Sequence, residues 1–327
     1  MALERALELA EKVIIITGKS HISHAAADIA KLTSAEKKRV IVISEPAAKN
    51  TAPAAACAVV YSQLSGNNRN MLVLTSDHII KPLEVFKTDA SLAAAAASEG
   101  KLVVFGIPPA HPETGYGYIE IIPKTDRKNV YTAAAFHEKP DLQTAKKYLS
   151  TKRFFWNSGM FAFNTCFMAD QFLSLAPDVF KCFEKLKQPK PEDYTVSKGV
   201  KILNGWKGLD TAYKKAKSVS FDYAIAEKCG KTAMVRANFE WIDIGNWEEY
   251  AKIRKNSGSD IFNVSSQACY VDSDIPVALA GVEDLIVVIR SGKNGENPAA
   301  LITRKGQTQK VRDIVEQIKL QGKNDLL

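Results

Sequence analysis

Several short stretches of this 327-residue chain carry side chains able to do chemistry on a ligand. Thr75-Ser76-Asp77-His78 directly follows the apolar run Met71–Leu74. A carboxylate one step past a strand end of an open parallel sheet can hold a divalent cation through oxygen, although Asp77 taken alone is equally a turn or helix N-cap residue. Glu113-Thr114-Gly115-Tyr116-Gly117-Tyr118 sets two glycines two apart after Pro112, which brings backbone close to a ligand or simply makes a tight turn. In Phe136-His137-Glu138-Lys139-Pro140 the proline ends a strand and leaves an acid–base pair at its tip. Lys139 is a point charge suited to a phosphate, and the two residues also read as an ordinary exposed ion pair. Trp156-Asn157-Ser158-Gly159-Met160 places polar residues in aromatic surroundings, as a sugar cleft does and as a polar turn in a core does. In Trp241-Ile242-Asp243-Ile244-Gly245-Asn246-Trp247, Asp243 is an isolated acid among apolar residues, a type seldom buried without a partner or a metal. Asp77 and Asp243 together make a carboxylate pair of the kind Mg²⁺ takes alongside substrate phosphates.

These residues need a scaffold, and the hydrophobic pattern supplies one. Continuous apolar runs at Val13–Thr17, Arg39–Ile43, Met71–Leu74 and Leu102–Phe105 alternate with helical spacing at 2–12, 20–31, 52–64 and 90–99. Strands apolar along their whole length, separated by helices, predict an α/β domain with a parallel sheet covered on both faces. From 111 to 165 the strands become shorter and more polar. Residues 168–217 read as mostly helical, and 218–250 as two short strands plus the Trp241–Trp247 motif. After Lys255-Asn256-Ser257-Gly258-Ser259 the chain turns to short β segments and ends in an amphipathic helix around Gln309–Leu320. The expected organisation is a main domain over 1–254 and a small β-rich module over 255–327.

Composition removes whole classes of function. With 46% apolar and 24% charged residues, the chain is neither disordered, collagen-like nor a disulfide framework. No apolar run approaches the roughly 18 residues that cross a bilayer. The start Met1-Ala2-Leu3-Glu4-Arg5 lacks a basic segment followed by a long apolar one, so a cytoplasmic protein with no membrane partner is expected. The net charge is +8, but the basic residues are scattered rather than gathered on one face, which argues against nucleic acid; phosphorylated small molecules suit it as well. Five cysteines without a C-x-x-C spacing read as reduced, mostly buried thiols. His21 and His24 lack the H-E-x-x-H form and read as surface residues. No Walker loop, no G-x-S-x-G and no G-x-G-x-x-G is present, which argues against a dinucleotide-dependent oxidoreductase.

Each motif is weak alone, but their set and order are specific. Glu45-Pro46, Asn50-Thr51-Ala52-Pro53, Ser76-Asp77-His78, Pro112–Tyr118 and Glu138-Lys139-Pro140 resemble the sugar nucleotidyltransferases. Trp156–Phe161, Phe221-Asp222-Tyr223-Ala224 with Glu227-Lys228, and Trp241–Trp247 narrow the resemblance to the mannose-1-phosphate guanylyltransferases, over residues 2 to about 320. The resemblance implies a Rossmann-like nucleotidyltransferase domain with a mixed, mostly parallel sheet. The implied reaction is GTP plus mannose 1-phosphate giving GDP-mannose and pyrophosphate, with Mg²⁺ held by Asp77 and Asp243. Lys139 would neutralise the sugar phosphate, Glu138 and Asn157 would bond sugar hydroxyls, and Gly117 would lie close to the ring. Asn50, Thr51 and Pro53 would lie near the base, and a homodimer through the C-terminal module would fit.

The resemblance also sets one expectation against activity. The family's G-G-x-G-x-R loop, whose amides cradle a triphosphate, has no match: residues 1–10 already correspond to the helix that follows it, and no glycine stands between Gly18 and Gly66. A central strand of the sheet is expected to be missing with it. The implied alternative is a non-catalytic sugar-nucleotide-binding relative or an inactive shortened form. Lys49 and His111 stand where the family commonly has Arg, and Gly292–Asn297 resembles an insertion.

Overall fold

The computed structural model describes residues 2–66, 68–123, 127–258, 260–292, 297–323 and 326; most of the insertion expected at Gly292–Asn297 lies outside them. Two compact units are present, Met1–Trp241 and Ile242–Leu327. The division runs through the strand Glu240–Asp243, and position 255 follows the first helix of the second unit, Trp247–Ile253. Among the described residues no helix is long and apolar enough to cross a membrane.

In chain order the strands of the first unit are β1 (Val13–Gly18), β2 (Val40–Glu45), β3 (Asn70–Val73), β4 (His78–Lys81), β5 (Leu102–Ile107), β6 (Tyr118–Ile121), β7 (Val130–His137), β8 (Phe154–Asn164), β9 (Tyr194–Ser197), β10 (Val200–Leu203) and β11 (Thr232–Arg236). All but β4 form a four-stranded sheet in the order β1-β2-β10-β9 and a six-stranded sheet in the order β3-β8-β5-β11-β7-β6. The α/β class follows the hydrophobic pattern, but the four apolar runs are shared between two sheets. β1 and β2 pair in parallel, whereas β3 and β5 both pair antiparallel to the long β8. A run that is apolar throughout reports burial on both faces and says nothing about the direction of its neighbour. β1 and β3 are edge strands of their sheets.

The span 168–217 is less helical than its pattern suggested. Between the helices Thr165–Leu175 and Leu209–Lys215 lies a hairpin, β9–β10. Its two-residue turn is Lys198-Gly199, both at positive φ, the backbone that two-residue hairpins require. Val200, Ile202 and Leu203 are buried, and β10 runs parallel to β2.

β8 does most to shape the site. Its first half pairs with β6 and its second half with β3, while β5 pairs with it from Trp156 to Ala162, which curls the sheet on itself. Val104 faces Phe161 and Gly106 faces Asn157, so two steps of β5 match four of β8. The extra residues bulge out around Ser158–Gly159, and Gly159 takes the kink at φ 69°, a conformation that favours glycine. Bulges of this kind re-aim side chains beside active sites.

The helix Thr51–Leu64 is buried almost all round, with Ala52, Pro53 and all of Ala55–Val60 inside. Small alanines let it pack between layers, as a helix without a polar face must. Of the cysteines, Cys57 and Cys229 are buried, Cys182 and Cys269 are partly exposed and Cys166 is exposed. The expectation of mostly buried thiols therefore fails for three of them: Cys166, for example, sits in the first turn of the helix that Asn164 caps, where one flank stays open to solvent.

The second unit winds in parallel strands. Ser257–Gly258, Tyr270–Ser273 and Leu285–Arg290 stack in one sheet, with Ala299–Arg304 added antiparallel, and Ile261–Val264 pairs with Val277–Ala280 in another. Val271, Val277 and Val287 fill one part of its core, and Tyr270, Ile286 and Val288 another. The chain's terminal helix is Val311–Leu320.

Candidate active site

Within the first unit, motifs far apart in sequence meet at the bulge of β8. A Cβ placed on Gly159 would come 3.8 Å from the Thr75 methyl and 4.0 Å from the His78 ring, so the loop after β3 lies against the bulge. A row of aromatic edges continues from there. His78 meets Trp241 at 5.1 Å, Trp241 meets Tyr116 at 5.2 Å, Tyr116 meets Trp156 at 5.5 Å and Trp156 meets His111 at 4.9 Å between ring centroids.

Asp77 is not a helix N-cap. It sits in the bend before β4, and the next helix, Leu83–Ser98, begins only after Pro82. Its side chain is 55% exposed, with Oδ1 3.9 Å from Nε2 of the buried His78. Trp241 Nε1 donates to His78 Nδ1 at 3.1 Å, which leaves the proton of a neutral ring on Nε2, facing Asp77. Burial pushes the His78 pKa down to about 4 against the pull of Asp77, with Arg5 adding to the fall. Arg5, itself buried, donates from both Nη atoms to the His78 carbonyl. The loop bearing Asp77 is thus tied down on two sides while its carboxylate stays open to solvent.

The residues that the resemblance assigns to the sugar converge separately. Asn157 N donates to Gly117 O at 2.8 Å, joining two of the motifs through backbone. A Cβ on Gly117 would fall 2.5 Å from Glu138 Oε2 and 3.1 Å from the Phe136 ring, so the Glu138 carboxylate occupies the space that the glycine leaves. Glu138 is 14% exposed, and Lys139, 59% exposed, places Nζ 3.5 Å from Glu138 Oε1. Lys139 holds φ at 47° immediately before Pro140, a strained backbone of the kind that concentrates at functional sites. Burial raises the Glu138 pKa, and the charge of Asp222 adds to the rise.

Sequence reasoning gave Asp222 no role. Asn157 Nδ2 donates to its Oδ1 at 2.8 Å, and burial raises the Asp222 pKa above the ordinary carboxylate range. The signal was available: Asp222 is the acid of the Phe221–Ala224 motif, and it opens a π-helical turn, Asp222–Ala226, a rare form frequent at functional sites. Thr75, Trp156 and Arg5 were likewise given no role.

Asn50, Thr51 and Pro53 open the helix Thr51–Leu64. Asn50 is its N-cap at φ 70°, accepting from Thr51 N. Thr51 Oγ1 accepts from Phe221 N at 2.8 Å, and Ala52 N donates to Val219 O. The helix start is therefore tied to the segment that carries Asp222. Pro53 is buried. Asp243 belongs to the second unit, where its Oδ1 lies 3.2 Å from the position of a Cβ on Gly245. His21 and His24 are exposed, as expected.

Some of the buried polar side-chain atoms without a hydrogen bond belong to these motifs, and others lie elsewhere, at Ser44 and Tyr270 for example. Among the described residues the former include Thr75 Oγ1, Trp156 Nε1 and Asn157 Oδ1. Such groups are rare in folded proteins and call for a ligand or solvent partner.

The model of the Nucleotidyl transferase family matches residues 2–259. The chain belongs to that family. It is 31% identical over 319 residues to the xanthan biosynthesis protein XanB of Xanthomonas campestris pv. campestris (strain B100), covering 95% of this chain and 64% of that protein. It is also 31% identical over 327 residues to mannose-1-phosphate guanylyltransferase of Escherichia coli (strain K12), covering 96% of this chain and 65% of that enzyme. The chain thus spans slightly less than two thirds of the length of these relatives. Among solved structures, a mannose-1-phosphate geranyltransferase from Thermus thermophilus superposes with a TM-score of 0.79 at 26% identity, over 97% of this chain and 88% of that one. Membership of a nucleotidyl transferase family accords with an exposed cation, Lys139, an exposed carboxylate, Asp77, and the partly buried polar cluster of Glu138, Asn157 and Asp222 in one unit.

Proposed function

We propose that the protein transfers GMP from GTP to mannose 1-phosphate, giving GDP-mannose and pyrophosphate. The observation that carries this reading is the convergence of Gly117, Glu138, Lys139 and Asn157, with the buried Asn157 Oδ1 lacking a partner among the described residues. Identity to relatives named for that reaction supports it.

In this reading a phosphate oxygen of the sugar phosphate attacks the α-phosphorus of the nucleotide in line, and the bond to pyrophosphate breaks. Catalysis is then mainly alignment and charge neutralisation. Lys139, the exposed cation beside Glu138, binds the sugar phosphate. Glu138 and Asn157 bond the ring hydroxyls, and Gly117 keeps the backbone low enough for Glu138 to do so. Asn50 and Thr51 lie on the nucleotide side, with Pro53 setting the first helical turn. Asp77 and Asp243 are the residues assigned to Mg²⁺. The exposed Asp77 carboxylate fits a hard cation that prefers oxygen, and Asp243 is assigned from the sequence motif. The ion would reduce the negative charge of the phosphates.

Pyrophosphate release from GTP, mannose 1-phosphate and Mg²⁺ tests the proposal. Turnover that depends on mannose 1-phosphate supports it. Thermal stabilisation by mannose 1-phosphate or GDP-mannose without turnover would point instead to binding alone. The absence of both responses would remove the sugar nucleotide from the reading.

A further inference from the structure

Asn157 is 9% exposed and uses its amide nitrogen on Asp222 at 2.8 Å, while its oxygen, buried, has no partner among the described residues. An ionised carboxylate only accepts hydrogen bonds, so Asp222 decides which end of the amide is held and which is spare. Asp222 is itself immobilised. The preceding Phe221 is buried against Phe161, Phe163 and Phe172, and its N–H is held by Thr51 Oγ1. On the other side, Glu227 N closes the π-helical turn onto Asp222 O.

We infer that Asp222 is a positioning residue that fixes the Asn157 amide so that its oxygen accepts a hydrogen bond from one hydroxyl of the sugar phosphate. The inference rests on the sugar-phosphate reading above and deepens it. A purely structural Asp222 would affect folding alone; a positioning Asp222 also sets which ligands are rejected. A buried acceptor held in one orientation discriminates strongly against a ligand lacking the matching donor, because the acceptor is then left unpaired.

The experiment measures dissociation constants of the full chain for mannose 1-phosphate and for its monodeoxyfluoro analogues, in which fluorine replaces one hydroxyl and removes the donor. The wild type is expected to bind one analogue about tenfold more weakly than the parent. Asp222→Asn lets either end of the Asn157 amide face residue 222, so this penalty should shrink several-fold while the melting temperature stays within a few degrees. Asn157→Ala should abolish the same penalty. Equal discrimination in wild type and Asp222→Asn overturns the positioning role while leaving the sugar-phosphate reading intact. A wild type that binds no mannose 1-phosphate overturns both. Should Asp222→Asn fail to fold, a crystal structure of the wild type with mannose 1-phosphate decides: a hydroxyl on Asn157 Oδ1 with Nδ2 on Asp222 supports the inference, and a reversed amide overturns it.

Discussion

Asn157 and Asp222 stand 65 positions apart and share a 2.8 Å hydrogen bond that joins the bulge of β8 to a π-helical turn. That bond places an acid with a raised pKa beside the residues expected to face a sugar. Its surroundings lead to measurable consequences.

The first concerns pH and stability. Burial lifts the Asp222 pKa in the fold above its unfolded value. In the interval between the two values the folded state binds more protons than the unfolded one, so stability falls as pH rises. The penalty is absent below the ordinary carboxylate range, near pH ~4, and complete above the raised pKa. Asp222→Asn cannot ionise, so its stability relative to wild type should increase with pH across that interval. Thermal melts of both proteins from acid to neutral pH check this, and parallel curves would contradict it.

Gly117→Ala tests the close packing of Glu138. The new methyl group needs the space held by Glu138 Oε2 and the Phe136 ring edge, and the carboxylate, at the end of a flexible side chain, yields first. Overpacking costs about 1–3 kcal/mol of stability. Affinity for mannose 1-phosphate should drop by about tenfold or more, since a bond to a charged group is lost. Calorimetric titration beside a denaturant melt separates the two effects.

Lys139→Ala should leave stability nearly unchanged, because its ion pair with Glu138 has one largely exposed partner and such pairs contribute little. KM for the sugar phosphate should rise by one to two orders of magnitude, the scale of about 1.5–3 kcal/mol for a charged hydrogen bond. Lys139 also holds down the pKa values of Glu138 and Asp222, so the variant's activity profile should shift toward higher pH. A steady-state series across pH reads both.

Chelation should abolish pyrophosphate release, and Mg²⁺ should restore it. Asp77→Asn alters an exposed side chain, so the fold should survive while the Mg²⁺ concentration for half-maximal rate rises at least several-fold. Asp243→Asn should sharply reduce turnover with an unchanged melting temperature. A normal rate in that variant would strike Asp243 from the metal ligands.

Much of this molecule is written in local sequence. Alternation of apolar runs with helical spacing specifies the α/β class, because burial of a strand on both faces requires helices on both sides. Glycine at 117 and 159 and proline at 140 mark turns and close approaches, because backbone conformation depends on the residue itself and its nearest neighbours. What local pattern does not encode is which distant segment fills a given space. The division of the apolar runs between two sheets was settled by β8, long enough to pair with β6 at one end, with β3 at the other and with β5 along most of its length. The β9–β10 hairpin became visible only through its pairing with β2. The bonds from Trp241 to His78 across 163 positions, from Phe221 to Thr51 across 170 and from Asn157 to Asp222 across 65 belong to the same class. Side-chain type offers a donor or an acceptor at each of these positions, but only the packed fold brings them within about 3 Å and excludes the water that would otherwise satisfy them.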